Sequence, residues 1–464
     1  QAFRLKLTPR SETLLPAQRR MAALKPGSPE GLKGSLDFWV EGYIAAERIP
    51  CAACAVVVDG ETVYKRCFGW ADKEGGRTLG SSDVFRMYSC TKVVTAVAAL
   101  QLLERGLWSL DDPVTDFLPV MAQVPGVMVE GGRLEALERP ITMRHLLTHT
   151  SGVSYNIVQN LSDGKSNPVS VEFREAKITE SNSLEDLVSR VAKVPLVNQP
   201  GTRWNYGFNI DIVGRVVEVL SGMPLDAYFE QNIFRPLGMT STCFRPRVTP
   251  EMSARLVHLY SANSPAIMEH GSQFFKDDFS KKPRMVKGHF MHGRFSAGPN
   301  DWAIAGPHVL EPGGGLVSTI DDWVLFTECL RQGGACPSGG PCILQPGTAQ
   351  LMATDLRPSG CLTHPAMRLI SGSAKEDPGY GHGLGVAVAV DPEGQGRSVG
   401  PGIGSVEWGG LASTIFWADP RERVSVIFLT QLIPAETYPL RSELKELVYT
   451  HVREARAGTA RSKL

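Results

Sequence analysis

The chain has no surplus of either charge: 48 lysines and arginines meet 48 aspartates and glutamates in 464 residues. That balance argues against a nucleic-acid protein, which more often carries a basic bias or stripe. No run of 18 or more apolar residues occurs, so no segment reads as a membrane span. Residues 1–28 are basic and lack the apolar stretch of a secretory signal. No internal repeat is evident. The nine cysteines, at 51, 54, 67, 90, 243, 329, 336, 342 and 361, are odd in number and scattered, which argues against a disulfide framework in so long a chain. Cys51-Ala-Ala-Cys54 has no second Cys-x-x-Cys and no nearby Cys-x-x-His to complete a metal site. It runs into Ala55-Val56-Val57-Val58, so two core cysteines on a strand is the better reading. The sequence also lacks a Gly-x-Ser-x-Gly elbow, and Gly313-Gly314-Gly315 lacks the Gly-Lys-Ser/Thr ending of a phosphate loop. It reads instead as a tight turn before a helix starting near Thr319. No metal and no cofactor is expected.

What is present has a clear order. Residues 30–46 have helical periodicity through Leu32, Leu36, Trp39 and Tyr43. Two strand-like runs, CAACAVVVD and ETVYKRCFGW, are joined by Asp59-Gly60, a strong hairpin signal. Thr91 to Leu103 is apolar nearly all round, which predicts a helix buried on most sides, with Gly106 placed to end it. Residues 107 to about 305 mix short helices with polar loops such as 160–168 and 261–266. Residues 209–222 read as a helix closing on Gly222. Strand signals return at 383–390, 413–418 and 424–430, and 440–456 reads as an amphipathic terminal helix. The expected fold class is α+β, an α/β sandwich. One antiparallel sheet of five-stranded type, built from both chain ends (29–106 and 310–457), is flanked by helices. A mainly helical region, 107–309, is inserted between them, with a cleft where the two parts meet. Residues 1–28 form an extension and 458–464 a tail.

Ser89 and Lys92 stand where the chain enters that buried helix. A serine hydroxyl is a weak nucleophile and needs a neighbouring base. Lysine serves when burial disfavours its ammonium form, and i, i+3 spacing puts the two side chains on one helix face. The helix N-terminus favours developing negative charge. Spacing alone is weak evidence, because Ser162/Lys165 and Ser442/Lys445 share it. The first of those lies in a Gly/Ser/Asn-rich loop, and the second, on the charged terminal helix, reads as solvated surface. For Ser89/Lys92 itself, the alternative is an N-cap beside a snorkelling lysine.

The segment DVFRMYSCTKVVTAVAALQLLERG resembles the nucleophile helix of the serine β-lactamase-like superfamily. That superfamily includes class C β-lactamases, penicillin-binding proteins, carboxylesterases and fungal acyltransferases. LLTHTSG at 146–152, WNYGFN at 204–209, FRPLGM at 234–239, GGGLVST at 313–319 and WGG at 408–410 agree in order and spacing. The resemblance spans roughly residues 30 to 450 and implies a β-lactamase/transpeptidase-like fold. It implies Ser89 as nucleophile, Lys92 as its partner and Tyr206 as the second-motif tyrosine that shares proton transfer. It also implies an oxyanion hole made by the N–H groups of Ser89 and Leu411. Tyr88 and Tyr155 are rivals for the phenol role but lie outside the second motif. His149 reads as structural, and His289 and His292 as loop residues.

Two departures from the family pattern narrow the chemistry. Phe208 stands where a β-lactamase has asparagine, with Asn209 one residue late, and Trp408 replaces the lysine of the third motif. Both argue against β-lactam or D-alanyl-D-alanine substrates, and Trp408 resembles the esterase and acyltransferase branch. Trp408 and Phe208 are expected to bind substrate as apolar surface. Gly409 and Gly410 are expected to let it approach the strand backbone. The expected activity is an acyl-enzyme reaction on a small-molecule ester or thioester, with transfer to water or to an alcohol acceptor. A β-lactamase or D-amino-acid peptidase, and a non-catalytic homologue, are the alternatives. The terminal Ser462-Lys463-Leu464 reads as an address for the peroxisomal import receptor, with a cytoplasmic location as the alternative.

Overall fold

The computed structural model describes residues 29–155, 169–262, 285–287, 309–362, 379–391 and 400–461. Strand β1 (Cys51–Val58) turns into β2 (Glu61–Asp72). Asp59 (φ 56°) and Gly60 (φ 90°) both adopt the left-handed backbone that a tight two-residue hairpin requires. The remaining strands of the main sheet are β3 (Arg77–Thr78), β4 (Tyr380–His382), β5 (Ala387–Ala389), β6 (Val406–Gly409), β7 (Ile415–Asp419) and β8 (Val424–Leu429). Their order is β4-β5-β6-β7-β8-β1-β2-β3, antiparallel at every step. The two ends of the chain therefore meet in mid-sheet, where β1 pairs with β8 from Ala53↔Leu429 to Val58↔Val424. Five of these, β1, β2, β6, β7 and β8, are four residues or longer and adjacent, and shorter strands extend both edges.

Strand alternation decides which residues go to which core. Cys51, Ala53 and Ala55 pack into one apolar cluster, while Ala52, Cys54 and Val56 pack into the other. The two cysteine thiols thus leave opposite faces of the sheet, and burial pushes both thiols up. One face is covered by helices α1 (Pro29–Ala45) and α5 (Leu440–Arg461) through Leu32, Leu36, Leu444 and Val448. The other face carries α2 (Thr91–Glu104) and α4 (Ile320–Arg331), and α3 (Asn209–Ser221) packs on α2. Every residue of α2 from Thr91 to Leu102 is buried. Gly222, in the left-handed conformation, closes α3 as its position predicts.

Two readings of the sequence are corrected. GLGVAVAV is not one strand: residues 383–386 form the turn between β4 and β5, with Gly383 N–H donating to Val386 O. Lys445 is not on a solvated surface, because it is 0% exposed and ion-paired with Glu407 of β6. Ser442 gives its hydroxyl to Pro439 O instead. Ser162, Lys165, His289, His292, the extension 1–28 and Ser462-Lys463-Leu464 lie outside the described residues. No described helix is long and apolar enough to cross a membrane.

Candidate active site

Ser89 lies in the 3₁₀ turn Tyr88–Cys90 that feeds directly into α2. Tyr88 and Cys90 are buried while Ser89 keeps partial exposure. Tyr88 holds φ 47°, a left-handed conformation that costs a bulky residue on the order of 1–2 kcal/mol. The surroundings hold it there. Met87 N–H donates to Leu316 O (2.9 Å), and Met87 O accepts from the Thr414 hydroxyl (3.2 Å).

Lys92 is 1% exposed. Its Nζ donates to Ser89 Oγ at 3.2 Å and to Gly313 O at 2.5 Å. It lies 4.8 Å from the centre of the Tyr206 ring and 5.5 Å from that of Tyr155, so two aromatic faces stabilise the cation. The Gly313 carbonyl arrives because the 312–316 segment is laced to the first turn of α2. The Thr95 hydroxyl donates to Pro312 O (2.8 Å), and Leu316 N–H donates to Thr91 Oγ1 (3.1 Å). The structure thus brings Ser89, Lys92 and Tyr206 together.

Tyr206 is placed by its neighbours in the WNYGFN segment. Asn205 N–H donates to His149 O (2.6 Å), and the Asn205 side chain donates to Val153 O (2.9 Å). His149 shares a hydrogen bond with Asn209 (3.0 Å), and its ring centre is 4.9 Å from that of Tyr206. Burial, then the neighbouring His382 and Lys92, hold His149 well below the usual imidazole range. A neutral, wedged imidazole is the structural histidine the sequence suggests. Asn209 is fully buried and holds Ser151, Val153 and Asn205. It therefore does not replace the asparagine missing at Phe208.

Leu411, the second expected oxyanion donor, lies in the turn after β6. Gly410 N–H donates to Thr414 O (2.8 Å), and Thr414 Oγ1 lies 3.4 Å from Cys90 Sγ. Leu411 packs on the cluster that contains Tyr88, and among the described residues its N–H has no protein acceptor. A Cβ on Gly410 would fall 2.4 Å from Met87 O, and one on Gly409 would fall 2.2 Å from Arg441 Nη2. The two glycines are therefore required first by protein packing, which presses the turn against the Tyr88–Cys90 segment.

The placement of Trp408 and Phe208 corrects the expectation that they offer substrate an apolar surface. They are 1% and 2% exposed. Trp408 packs behind Tyr206 among His149 and His382, and Phe208 packs on Tyr155 and Phe173. They shape the site by fixing Tyr206 and Tyr155. Sequence reasoning read Gly313 only as part of a motif and a tight turn, and missed Asp211 altogether. Asp211 sits in the first turn of α3, where an acidic residue passes for ordinary helix chemistry. Its only signal is an acid on a helix that is otherwise mostly apolar, five residues after Tyr206. Among the described residues one other group, Asp72, Glu74 and His258, brings three ligand-type atoms within 4.8 Å. Its members already bond: His258 to Asp72 (3.1 Å) and Tyr260 OH to Glu74 (2.8 Å). It shares no residue with the Ser89 site.

Comparison with known proteins identifies the family. The Beta-lactamase family model matches residues 36–448. The chain belongs to the beta-lactamase family. Within that family it is 28% identical over 434 residues to esterase EstB of Burkholderia gladioli, covering 90% of this chain and 95% of EstB. It is 36% identical over 216 residues to monacolin J acid methylbutanoyltransferase of Aspergillus terreus, covering 44% of this chain and 50% of that one. Unliganded simvastatin synthase (LovD) from Aspergillus terreus superposes with a TM-score of 0.69 at 25% identity, covering 92% of this chain and 98% of that one.

Proposed function

We propose that this family member is a serine acyl-enzyme catalyst of the esterase and acyltransferase branch, acting on carboxylic esters or thioesters. The observation that carries the reading is the 3.2 Å contact between buried Lys92 Nζ and partly exposed Ser89 Oγ, at a strained turn entering α2. Ser89 Oγ attacks the acyl carbonyl, and its proton passes to the Lys92–Tyr206 pair. The N–H groups of Ser89 and Leu411 receive the oxyanion, each worth about 3–4 kcal/mol of transition-state stabilisation. The pair then returns the proton to the leaving alcohol or thiol. In the second half-reaction it takes a proton from water or from an acceptor alcohol, which attacks the acyl-Ser89 ester, and it returns that proton to Ser89 Oγ as the acyl–oxygen bond breaks. The committed Asn209, and Phe208 and Trp408 in the two motif positions, favour esters over β-lactams.

Intact-protein mass spectrometry after exposure to a short p-nitrophenyl ester tests the reading. An acyl adduct on the parent, absent from Ser89→Ala, is the expected outcome. Adding alcohols separates transfer from hydrolysis by the product formed. Rapid nitrocefin cleavage with no ester turnover would overturn the branch assignment.

A further inference from the structure

The catalytic steps above leave the buried carboxylate of Asp211 unused. Asp211, on α3, is 2% exposed, and no salt bridge reaches it among the described residues. Its Oδ1 accepts the N–H of Gly313 at 2.9 Å, and its Oδ2 accepts the hydroxyl of Tyr155 at 3.3 Å. The carbonyl of that same Gly313 receives Lys92 Nζ at 2.5 Å. Asp211 and Lys92 therefore grip one glycine from its two polar ends. The fit leaves no slack, because a Cβ at Gly313 would lie 2.5 Å from Asp211 Oδ2. A buried carboxylate without a cation is expensive. Burial raises the proton affinity of Asp211, and the field of Lys92 opposes that rise.

We propose that Asp211 is a positioning residue of the Ser89 centre: it clamps Gly313 so that Lys92 stays against Ser89, and its negative charge retains the proton that the Lys92–Tyr206 pair handles. The proposal rests on the acyl-enzyme reading and deepens it. Several other groups share the space around Lys92. Tyr155 and Tyr206 face it with their rings, and Cys90 and neutral His149 lie within its field. Buried Glu311 acts on Tyr155 and Tyr88, and Arg441 acts on Cys90 from the far side. Among these, Asp211 alone joins Lys92 through the backbone of a shared residue, Gly313.

The test is the pH dependence of kcat/KM for a p-nitrophenyl ester in the parent, Asp211→Asn and Asp211→Ser. Both variants keep a polar side chain and remove the charge. The acid limb should move to lower pH by about half a unit or more, with kcat/KM at pH 7 falling about tenfold or more. The direction is the same wherever the proton rests, since losing a nearby negative charge disfavours an ammonium and favours a phenolate alike. A pure packing role would lower the rate and leave the limb in place. An unmoved limb in a folded variant overturns the proposal. Failure of both variants to fold overturns it too, because a structural requirement would then be the whole role of Asp211. Absence of a Ser89 adduct in the parent strikes the acyl-enzyme reading itself and is read separately by mass spectrometry.

Discussion

Lys92 and Lys445 each follow a serine by three residues, each sits in a helix, and they are 1% and 0% exposed. Their surroundings are opposite. Lys445 is ion-paired with Glu407 and donates to Tyr380 OH at 2.7 Å. Arg441 also reaches Glu407, and Glu436, at 3.4 Å. Two cations and two carboxylates thus tie α5 to β6, and every charge has a counter-charge. Lys92 has no salt bridge among the described residues; it touches a hydroxyl, a carbonyl and two ring faces. Only Lys92 can hand over its proton without stranding a carboxylate bonded to it. The same local spacing therefore makes a structural clamp in one place and a candidate reaction centre in the other. The neighbours brought in by the fold make the difference.

The largest expected effect separates the two lysines by activity. Lys92→Met should lower kcat/KM for a p-nitrophenyl ester by about 1000-fold or more, the upper range for loss of a positioned proton-transfer group, with little loss of thermal stability. Lys445→Met should do the reverse. Urea unfolding should show a loss of about 3–5 kcal/mol, because Glu407 loses a buried partner, while kcat of the folded protein stays within about threefold. Lys445→Met with Glu407→Leu should recover part of that loss, and a fully additive double variant would refute the coupling.

The adjacent glycines sharpen the contrast. Gly410→Ala drives a methyl toward Met87 O beside Ser89, so ester turnover should fall by about tenfold or more, as expected if the proposed oxyanion donor Leu411 shifts. Gly409→Ala points at Arg441 in the ionic clamp, so its main readout should be a lower melting temperature. Equal activity losses in both would erase the distinction.

The smallest effect lies in the imidazole shell beside Lys92. Burial holds His382 at about 3, below the ordinary value near 6.5. Between those values the unfolded chain binds a proton that the native state refuses, so stability falls as pH drops from 6.5 toward 3. His382→Phe should flatten the slope of unfolding free energy between pH 6.5 and 5 by up to about 1.4 kcal/mol per pH unit. An unchanged slope from urea titrations would remove His382 from the acid response.

Much of the site could be read from local pattern. A short apolar run marked β1, Asp59-Gly60 marked the hairpin, and a longer run apolar nearly all round marked α2. Against that frame Ser89, Lys92 and Tyr206 stood out by residue type and motif. Those features depend on near neighbours in the chain, and a period of 2 or 3.6 residues records them. Lys445 shows where such reading stops. On an amphipathic helix it reads as surface, because its partner Glu407 lies 38 residues away and no local period encodes that pairing. Asp211 reads as a first-turn acid until Gly313, 102 residues later, folds onto it. Trp408 and Phe208 read as pocket walls until the tertiary packing buries them behind Tyr206 and Tyr155. The sequence alone determined which side chains could do chemistry and which elements carry them. Burial and charge compensation come from contacts between distant segments, so only the tertiary structure decided that one buried lysine is locked in an ion pair and the other faces a serine.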